Sequence, residues 1–285
     1  MTNEIMRQAT NLAVGSNYPA VNESDVGRLR IRLPALREQQ QVAEILDSVD
    51  LSIASTEAVI AKLKLKNSGL LHALLHEIDV QARPLIDFLA ERPRNGFSPN
   101  EAESWTGVVT IGLGCLTTDG FVPRQVKNVP AHDARYAGSW LSDGDLLMSR
   151  SNTFDLVGLV GRYSDVGAPC VYPDLMMKLV PSKLVRSEYL ELVLRSVDTR
   201  EHIKRMSQGT SGSMVKISAG GIVKLLVRIP NLQEQDRLLS IFAAETANIQ
   251  ALEREKAKLR LLKQGLMDDL LTGRVRVPVE SVPGA

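Results

Sequence analysis

The sequence has few cysteines, few aromatic residues and no long apolar segment. Its two cysteines, Cys115 and Cys170, lie far apart without a Cys/His cluster nearby, which excludes a zinc site built on cysteine and favours buried free thiols. Aromatic residues make up 4% of the 285 residues, too few for a platform that stacks single-stranded bases. No apolar run approaches the roughly 18–20 residues that cross a bilayer, so we expect no contact with a membrane.

The chain also lacks a strong excess of charge. Its formal net charge is +1, which averages a mildly basic middle over an acidic segment before it. Residues 80–230 carry 18 basic and 15 acidic side chains, whereas residues 34–79 carry 4 and 7. A protein that binds duplex DNA usually has a stronger basic bias. Charge is therefore compatible with DNA binding but does not establish it.

A long internal repeat is the most informative feature of the chain. Residues 29–75 align without a gap with residues 225–271, so each position recurs 225 − 29 = 196 residues later. Each copy begins with a short apolar stretch that ends near a proline, LRIRLPAL or LLVRIPNL. Proline has no amide hydrogen for a sheet interior, so each copy predicts a strand, a turn and then a helix. Residues 13–26 also align with residues 209–222, which makes the first thirty residues resemble the end of a second domain.

Both copies predict a long helix with a heptad seam. In the first copy, seam positions alternate at spacings of four and three from Val42 to Leu74, over more than four heptads. The second copy keeps the register, although Glu245, Lys256 and Lys263 interrupt it. A helix of about 35 residues is roughly 50 Å long. That length argues against ordinary core helices and favours two helices paired as an antiparallel coiled coil.

The seam also predicts which side chains join the two helices. Asn67 and Lys263 stand at seam positions, where a polar residue specifies register at some cost in stability. The residues expected at the contact between the helices, or with a subunit that binds them, are Val42, Leu46, Ile53, Ile60, Leu63, Leu238, Ile249, Leu252, Leu259 and Leu266.

The segment between the helices changes its periodicity. Short apolar runs between turn signals predict strands within residues 108–116, 144–150, 156–163 and 170–180. Residues 187–206 predict one helix with Ser187 as its N-cap, and a loop of small residues follows. The expected fold class is therefore α+β, a mixed α/β domain accompanied by the two long helices.

Two motifs resemble chemical sites but lack a required residue. GTSGSMVKIS resembles a phosphate-binding loop, but its glycines and Lys216 do not fit the spacing G-x-x-x-x-G-K-[ST]. Asp174 and Lys178 resemble part of a nuclease core, but Met176 stands where a second carboxylate is needed to hold a divalent cation. Neither nucleotide binding nor nuclease activity is expected.

His72 and His76 lie one helical turn apart, which could place two imidazoles on one metal. No third ligand is evident from the sequence, so a solvated helix flank is the preferred interpretation. The sequence also has no Gly-rich cofactor loop and no Asn/Asp-Pro-Pro-Tyr/Phe tetrapeptide of the DNA amino-methyltransferases. We expect no catalytic residue, no metal site and no cofactor bound by this chain.

Polar and basic loop residues remain as candidates for contact with DNA. Arg and Lys read guanine, and Asn and Gln read adenine, each good pair contributing about 1–3 kcal/mol of discrimination. For each residue, the alternative is an ordinary solvated loop position. The residues predicted to contact DNA are Arg124, Lys127, Arg150, Ser151, Asn152, Thr153, Lys204, Arg205, Gln208, Thr210, Ser211, Ser213 and Lys216.

The combination of these features resembles the specificity subunits of type I restriction–modification systems, HsdS. The signature stands as LPALREQ at residues 33–39 and IPNLQEQ at residues 229–235. The helices end in NSGL at residues 67–70 and KQGL at residues 263–266, the latter followed by LLTG. The resemblance covers nearly the whole chain, and its specificity comes from the signature, the heptad helix and the repetition together.

The resemblance implies the organisation of the chain. The expected parts are residues 1–30 as a remnant of a first target-recognition domain, 31–79 as a first spacer helix, 80–230 as a complete target-recognition domain, 231–277 as a second spacer helix and 278–285 as a tail. A standard member has two complete recognition domains, so the chain is expected to be shortened at its N-terminus.

The resemblance further implies a non-enzymatic, prokaryotic and cytoplasmic protein that binds double-stranded DNA. Its implied partners are a DNA methyltransferase (modification) subunit that carries S-adenosylmethionine and a restriction/translocase subunit. Two copies could assemble, a separate chain could supply the missing half, or the chain could be a decayed product that directs nothing. The alternative function is a coiled-coil scaffold whose α/β domain binds a protein. The target bases cannot be read from the sequence.

Overall fold

The computed structural model describes residues 3–14, 19–31, 33–207 and 214–278. The chain divides into two units, one made of Met1–Leu65 with Glu245–Ala285 and the other of Lys66–Ala244. Both long helices run through a unit boundary, whereas the sequence-based divisions lie at the helix ends. In the described part of the chain, no helix is long and apolar enough to cross a membrane.

Helices α3 and α7 are the two copies of the repeat. The α-helices are α1 (Asn3–Leu12), α2 (Glu23–Val26), α3 (Leu36–Glu77), α4 (Ser187–Arg195), α5 (Val197–Met206), α6 (Ala219–Ile222) and α7 (Leu232–Leu271). Short 3-10 helices occupy Leu85–Phe88, Leu113–Cys115 and Ala134–Tyr136. The helices α3 and α7 have 42 and 40 residues and are therefore each roughly 60 Å long.

The first unit pairs α3 with α7 in opposite directions. As the residue number on α3 rises, the residue number of its partner on α7 falls, which identifies an antiparallel pair. The ion pairs across the helices are Asp50–Lys263 at 2.6 Å, Glu57–Arg260 at 2.6 Å and Lys64–Glu253 at 3.6 Å. The mixed helix-and-sheet class with two long antiparallel helices, predicted from the sequence, is confirmed.

The repeated signature stabilises the start of each long helix. The side-chain amide of Gln39 donates to the carbonyl of Pro34 at 2.8 Å, and that of Gln235 donates to Pro230 at 2.8 Å. These carbonyls lie just before each helix, so the glutamine ties the turn to the first helical turn. Among the described residues a strand, Leu226–Val227, precedes the second long helix, whereas the strand predicted in the first copy is not found. The glutamine recurs in both copies because it makes the same hydrogen bond at the start of each long helix.

The repeat extends to the short helix that precedes each signature. Asn22 caps α2 by accepting from the amide of Asp25 at 3.0 Å, and Ser218 caps α6 by accepting from Gly221 at 2.9 Å. The helices α2 and α6 lie 219 − 23 = 196 residues apart, the offset found in the sequence. Both caps satisfy an amide that has no partner within its helix.

The second unit contains all the named strands. They are β1 (Arg83–Pro84), β2 (Arg94–Asn95), β3 (Val108–Ile111), β4 (Leu116–Thr117), β5 (Gly120–Phe121), β6 (Val126–Val129), β7 (Leu146–Ser149), β8 (Ser151–Asn152), β9 (Val160–Arg162), β10 (Cys170–Val171), β11 (Met176–Leu179), β12 (Val215–Lys216) and β13 (Leu226–Val227). A four-stranded antiparallel sheet has the order β2-β11-β7-β9, and a three-stranded sheet has the order β10-β3-β6, with β10 parallel to β3. The pairs β1–β13, β8–β12 and β4–β5 are antiparallel.

The main core lies between the four-stranded sheet and the helices that follow it. Met148 and Met177 from the sheet are fully buried, as are Tyr189 and Leu190 of α4 and Ile203 of α5. A second cluster fills the space around β3 and β10 and includes both cysteines. Both thiols are free and buried, as the sequence predicts.

The helix predicted over residues 187–206 is two helices, so that prediction is wrong in detail. Helix α4 ends at Arg195, and Ser196 becomes the N-cap of α5 by accepting from the amide of Thr199. The predicted cap Ser187 is already the first residue of α4, and the capping position is Arg186. A serine can cap a helix or lie within one, so the amphipathic pattern alone does not show that the helix is interrupted at Ser196.

Candidate nucleic-acid interface

Two loop segments that are distant in sequence meet at one strand pair. Strand β8 follows β7 after Arg150 and pairs antiparallel with β12, so that Ser151 lies opposite Lys216 and Asn152 lies opposite Val215. The backbone of Arg150 joins the same ladder, because its carbonyl accepts from the amide of Ile217 at 2.8 Å. The fold therefore brings the predicted Arg150–Thr153 segment together with Lys216.

The arginine of this segment is held in place. One guanidinium nitrogen of Arg150 donates to the carbonyl of Asp174 at 3.2 Å, and its backbone amide donates to the carbonyl of Leu175 at 2.9 Å. The side chain is half-buried, and within the described ranges its Nε is buried without a hydrogen-bond partner. A partly immobilised guanidinium loses less entropy when it binds an acceptor on a ligand.

The next three residues differ in exposure. Ser151 is fully buried, so its hydroxyl points into the unit rather than to the surface. Asn152 is half-buried and its Oδ1 accepts from the amide of Thr153 at 2.9 Å, while Thr153 is exposed. Of these predicted contacts, Asn152 and Thr153 lie where a surface ligand can reach them, and Ser151 does not.

Helix α5 places a lysine against the turn that follows β8. The Nζ of Lys204 lies 5.9 Å from the ring centre of Phe154 and 4.0 Å from a carboxylate oxygen of Asp155. Lys204 also pairs with Glu201 at 3.1 Å, so part of its charge is already compensated. Arg205, its neighbour in the last turn of α5, is exposed.

Arg200, which no sequence pattern marks as functional, fixes the same turn. Its guanidinium donates to the carbonyls of Val157 at 2.5 Å and Asp155 at 2.9 Å. Burial lowers the pKa of Arg200. Gly158 closes the turn with φ of +72°, and a Cβ there would lie 2.2 Å from the side chain of Ile203. These contacts join residues far apart in sequence, so no local pattern could reveal them.

The remaining predicted DNA contacts lie elsewhere or outside the described residues. Arg124 is an exposed loop residue before β6, and Lys127 lies on β6 in the three-stranded sheet. Lys127 is paired with Glu101 at 2.9 Å. The structure therefore places Lys127 on a different sheet from β8 and β12, and Arg124 in the loop that leads into that sheet. The predicted contacts Gln208, Thr210, Ser211 and Ser213 lie outside the described residues.

The predicted contact residues of the long helices lie on the covered stripe of each helix. Val42, Ile60 and Leu238 are buried. The half-buried residues are Leu46, Ile53, Leu63, Ile249, Leu252, Leu259 and Leu266. Leu238 packs into the main core of the second unit, a contact that the sequence had assigned to the helix pair. Of the polar seam residues, Lys263 forms its ion pair with Asp50.

The residues that resembled a nuclease core have structural partners. The Nζ of Lys178 lies 3.1 Å from a carboxylate oxygen of Asp145 and donates to the carbonyl of Trp140 at 3.1 Å. Asp174 accepts from the hydroxyl of Ser98 at 2.5 Å. Lys178 and Asp174 therefore each bind a partner within the protein and act as structural residues.

The chain is similar to proteins of known function. A family model, the type I restriction modification DNA specificity domain, matches residues 3–65. The specificity subunit of the type I restriction enzyme EcoKI of Escherichia coli K12 is 23% identical over 254 residues, 81% of this chain and 53% of that protein. The MjaVIII specificity subunit of Methanocaldococcus jannaschii is 21% identical over 291 residues, 92% of this chain and 66% of that protein. The chain thus spans between half and two thirds of these relatives.

Solved structures share the fold. A chain from a structural study of complex assembly and conformational transition in the type I restriction–modification system matches 96% of this chain and 69% of its own length, with a TM-score of 0.59 and 18% identity. The S subunit of the type I system of M. genitalium matches 92% of this chain and 68% of its own length, with a TM-score of 0.54 and 15% identity.

Proposed function

Because the chain is related along most of its length to specificity subunits of type I restriction enzymes, we propose that it is the DNA-reading, non-catalytic subunit of such an enzyme. The observation that carries the proposal is the similarity to two named specificity subunits over 81% and 92% of the chain. The proposed activity is recognition of one half of an interrupted DNA target, and the proposed place of action is the cytoplasm.

In this proposal the β8–β12 edge faces the DNA. Lys204 and Lys216 neutralise phosphates, which fixes the position of the duplex without reading its sequence. Arg150, Asn152 and Thr153 are the candidates for base-edge contacts, because they combine a fork-shaped donor with amide and hydroxyl groups. The immobilised guanidinium of Arg150 and the fixed turn after it support this assignment.

The long helices hold the distance between recognition elements. The helices α3 and α7 are each roughly 60 Å long and are joined by ion pairs along the antiparallel part of their length. A rigid spacer of this kind sets the number of base pairs between two half-sites. We propose that a methyltransferase subunit carrying S-adenosylmethionine docks around these helices, and that a restriction/translocase subunit joins that complex.

The first copy of the repeat exposes apolar side chains whose counterparts are buried. Ile31 is 69% exposed and Leu33 is 75% exposed, whereas their equivalents Val227 and Ile229 are 3% and 5% exposed. Val227 lies on β13, where it pairs with Arg83 of β1 in the same domain. The exposure of Ile31 and Leu33 favours the binding of a further polypeptide at this position, either a second copy of the chain or a separate recognition-domain chain.

A binding experiment tests the proposal. The chain, assembled with a candidate type I methyltransferase subunit, is titrated onto fluorescent duplex DNA at several salt concentrations. Loss of one phosphate contact in Lys216→Ala should reduce the slope of log affinity against log salt by about 1. The control is Lys183→Ala, which removes an exposed lysine outside the β8–β12 edge and should leave the slope unchanged.

Three results would contradict the proposal. Salt-independent binding by the wild-type complex would remove the electrostatic basis of DNA recognition. Equal changes in Lys216→Ala and Lys183→Ala would remove the β8–β12 edge from the interface. A complex that forms but never binds DNA would support a scaffold instead.

A further inference from the structure

In the structure, a carboxylate that is distant in sequence lies beside two histidines of α3. His72 and His76 lie one turn apart on α3, and Asp198 lies in the first turn of α5. The carboxylate Oδ2 of Asp198 is 3.0 Å from Nδ1 of His72 and 3.2 Å from Nε2 of His76. The three ligand atoms all lie within 4.8 Å of one another.

This spacing is close to that of a metal coordination sphere. Zinc binds imidazole nitrogen at about 2.0–2.1 Å and carboxylate oxygen at about 2.0–2.2 Å, so neighbouring ligand atoms of a tetrahedral site lie roughly 3.3 Å apart. The two nitrogen–oxygen distances, 3.0 and 3.2 Å, approach that value before any ion is bound. Both contacts are hydrogen bonds to the carboxylate, so an ion would bind by replacing the two ring hydrogens, with a shift of the side chains.

The surroundings leave room for solvent as a further ligand. The side chains of His72, His76 and Asp198 are 54%, 55% and 50% exposed. A groove of about 760 Å³ opens beside His76 and Asp198. Three protein ligands with a solvent position match an open zinc-type site rather than a closed structural one.

The ligands stand on supported backbone. Leu74 and Leu75, which lie between the histidines, pack against the main core and fix the rotation of α3. Ser196 caps α5 and sets the start of the helix that carries Asp198. The ring nitrogen Nδ1 of His202 lies 2.9 Å from the backbone carbonyl of Asp198, a contact within α5. These contacts hold the backbone segments that carry the three ligands.

We propose that His72, His76 and Asp198 form a binding site for a divalent transition metal of the Zn²⁺ and Co²⁺ type. The ion joins the C-terminal part of α3 to the start of α5 within the second unit and so stabilises the contact between these two segments. Two imidazoles and one carboxylate favour these ions over Mg²⁺ and Ca²⁺, which prefer all-oxygen sites.

The test uses the untagged full chain after removal of metal by a chelator and dialysis. Titration with ZnCl₂ is followed by calorimetry, and titration with CoCl₂ is followed by the visible absorption of the ion. We expect one ion per chain and a rise in the unfolding temperature when Zn²⁺ is present, since a ligand that binds only the folded state stabilises it.

Substitutions of the proposed ligands test whether these side chains form the metal site. His76→Ala and Asp198→Asn should each weaken Zn²⁺ binding by at least about 100-fold, more than is usual for loss of a supporting contact. Their side chains are about half-exposed, so the unfolding temperature without metal should change little. The control His132→Ala removes an exposed histidine elsewhere and should bind Zn²⁺ as the wild type does.

The proposal is wrong if neither ion binds the wild-type chain, or if both substitutions leave binding unchanged. It is also wrong if His132→Ala weakens binding as much as His76→Ala. Circular dichroism of each variant separates loss of the site from loss of the fold. The readout does not involve DNA, so its result is independent of the proposed function.

Discussion

The glutamines of the repeated signature differ in how much of the fold depends on them. Gln235 is fully buried, and its side chain makes three hydrogen bonds. Its Nε2 donates to the carbonyls of Pro230 at 2.8 Å and Leu184 at 3.0 Å, and its Oε1 accepts from the amide of Arg186 at 2.8 Å. The side chain thus joins α7 to the segment that begins α4.

Substitution Gln235→Ala removes all three bonds and leaves buried backbone groups without partners. A net hydrogen bond contributes about 1 kcal/mol, and a buried group left unpaired costs about 1–3 kcal/mol. We therefore expect the free energy of unfolding to fall by about 3 kcal/mol. For a unit of this size that corresponds to a decrease of roughly 6–12 °C in the unfolding temperature.

The matched control is Gln39→Ala in the first copy of the signature. Gln39 is half-buried and donates to the carbonyl of Pro34 at 2.8 Å. Its removal should cost about 1 kcal/mol. Urea unfolding, followed by circular dichroism and tryptophan fluorescence, measures both variants. Equal losses, or a loss below about 1 kcal/mol for Gln235→Ala, would refute the reasoning.

Three further predictions concern the turn, the helix pair and a thiol. Gly158→Ala should destabilise the protein more than Gly144→Ala in urea unfolding, because both glycines have positive φ but only Gly158 would bring a Cβ to 2.2 Å from another side chain. Charge reversal Glu57→Arg should cost less than about 1 kcal/mol, and adding Arg260→Glu should restore the loss, since the two side chains form an exposed ion pair of 2.6 Å. Burial raises the pKa of Cys170 to about 11, so its thiol should resist alkylation at pH 8 in the folded protein and react once urea unfolds it.

The long helices could be predicted because their signal is local and repeated. The heptad spacing from Val42 to Leu74 depends only on residues three or four apart, and its recurrence 196 residues later doubles the evidence. The structure places the same positions on the covered stripes of both helices. Antiparallel pairing followed from the need to cover two matching stripes.

The candidate site was only partly predictable, because its geometry depends on contacts between distant segments. The sequence predicts Arg150 and Lys216 as loop residues near DNA, but the contact between their segments depends on the pairing of β8 with β12. The burial of Ser151 follows from the same pairing, which turns its side chain inward. Asp198 lies 198 − 76 = 122 residues from His76, so only the packing of α5 beside α3 could reveal it as a third ligand.

The most direct test of the account is the pattern of DNA methylation that the chain directs. The chain and its candidate methyltransferase subunit are expressed, together and separately, in a host without adenine methylation, and methylated adenines are mapped across the genome. The account predicts methylation at one interrupted motif, only when both proteins are present. A symmetric motif would identify self-assembly, and an asymmetric motif would identify a separate partner chain. If the two proteins co-purify as a folded complex and no motif is methylated, the chain does not direct sequence recognition and the central claim is contradicted.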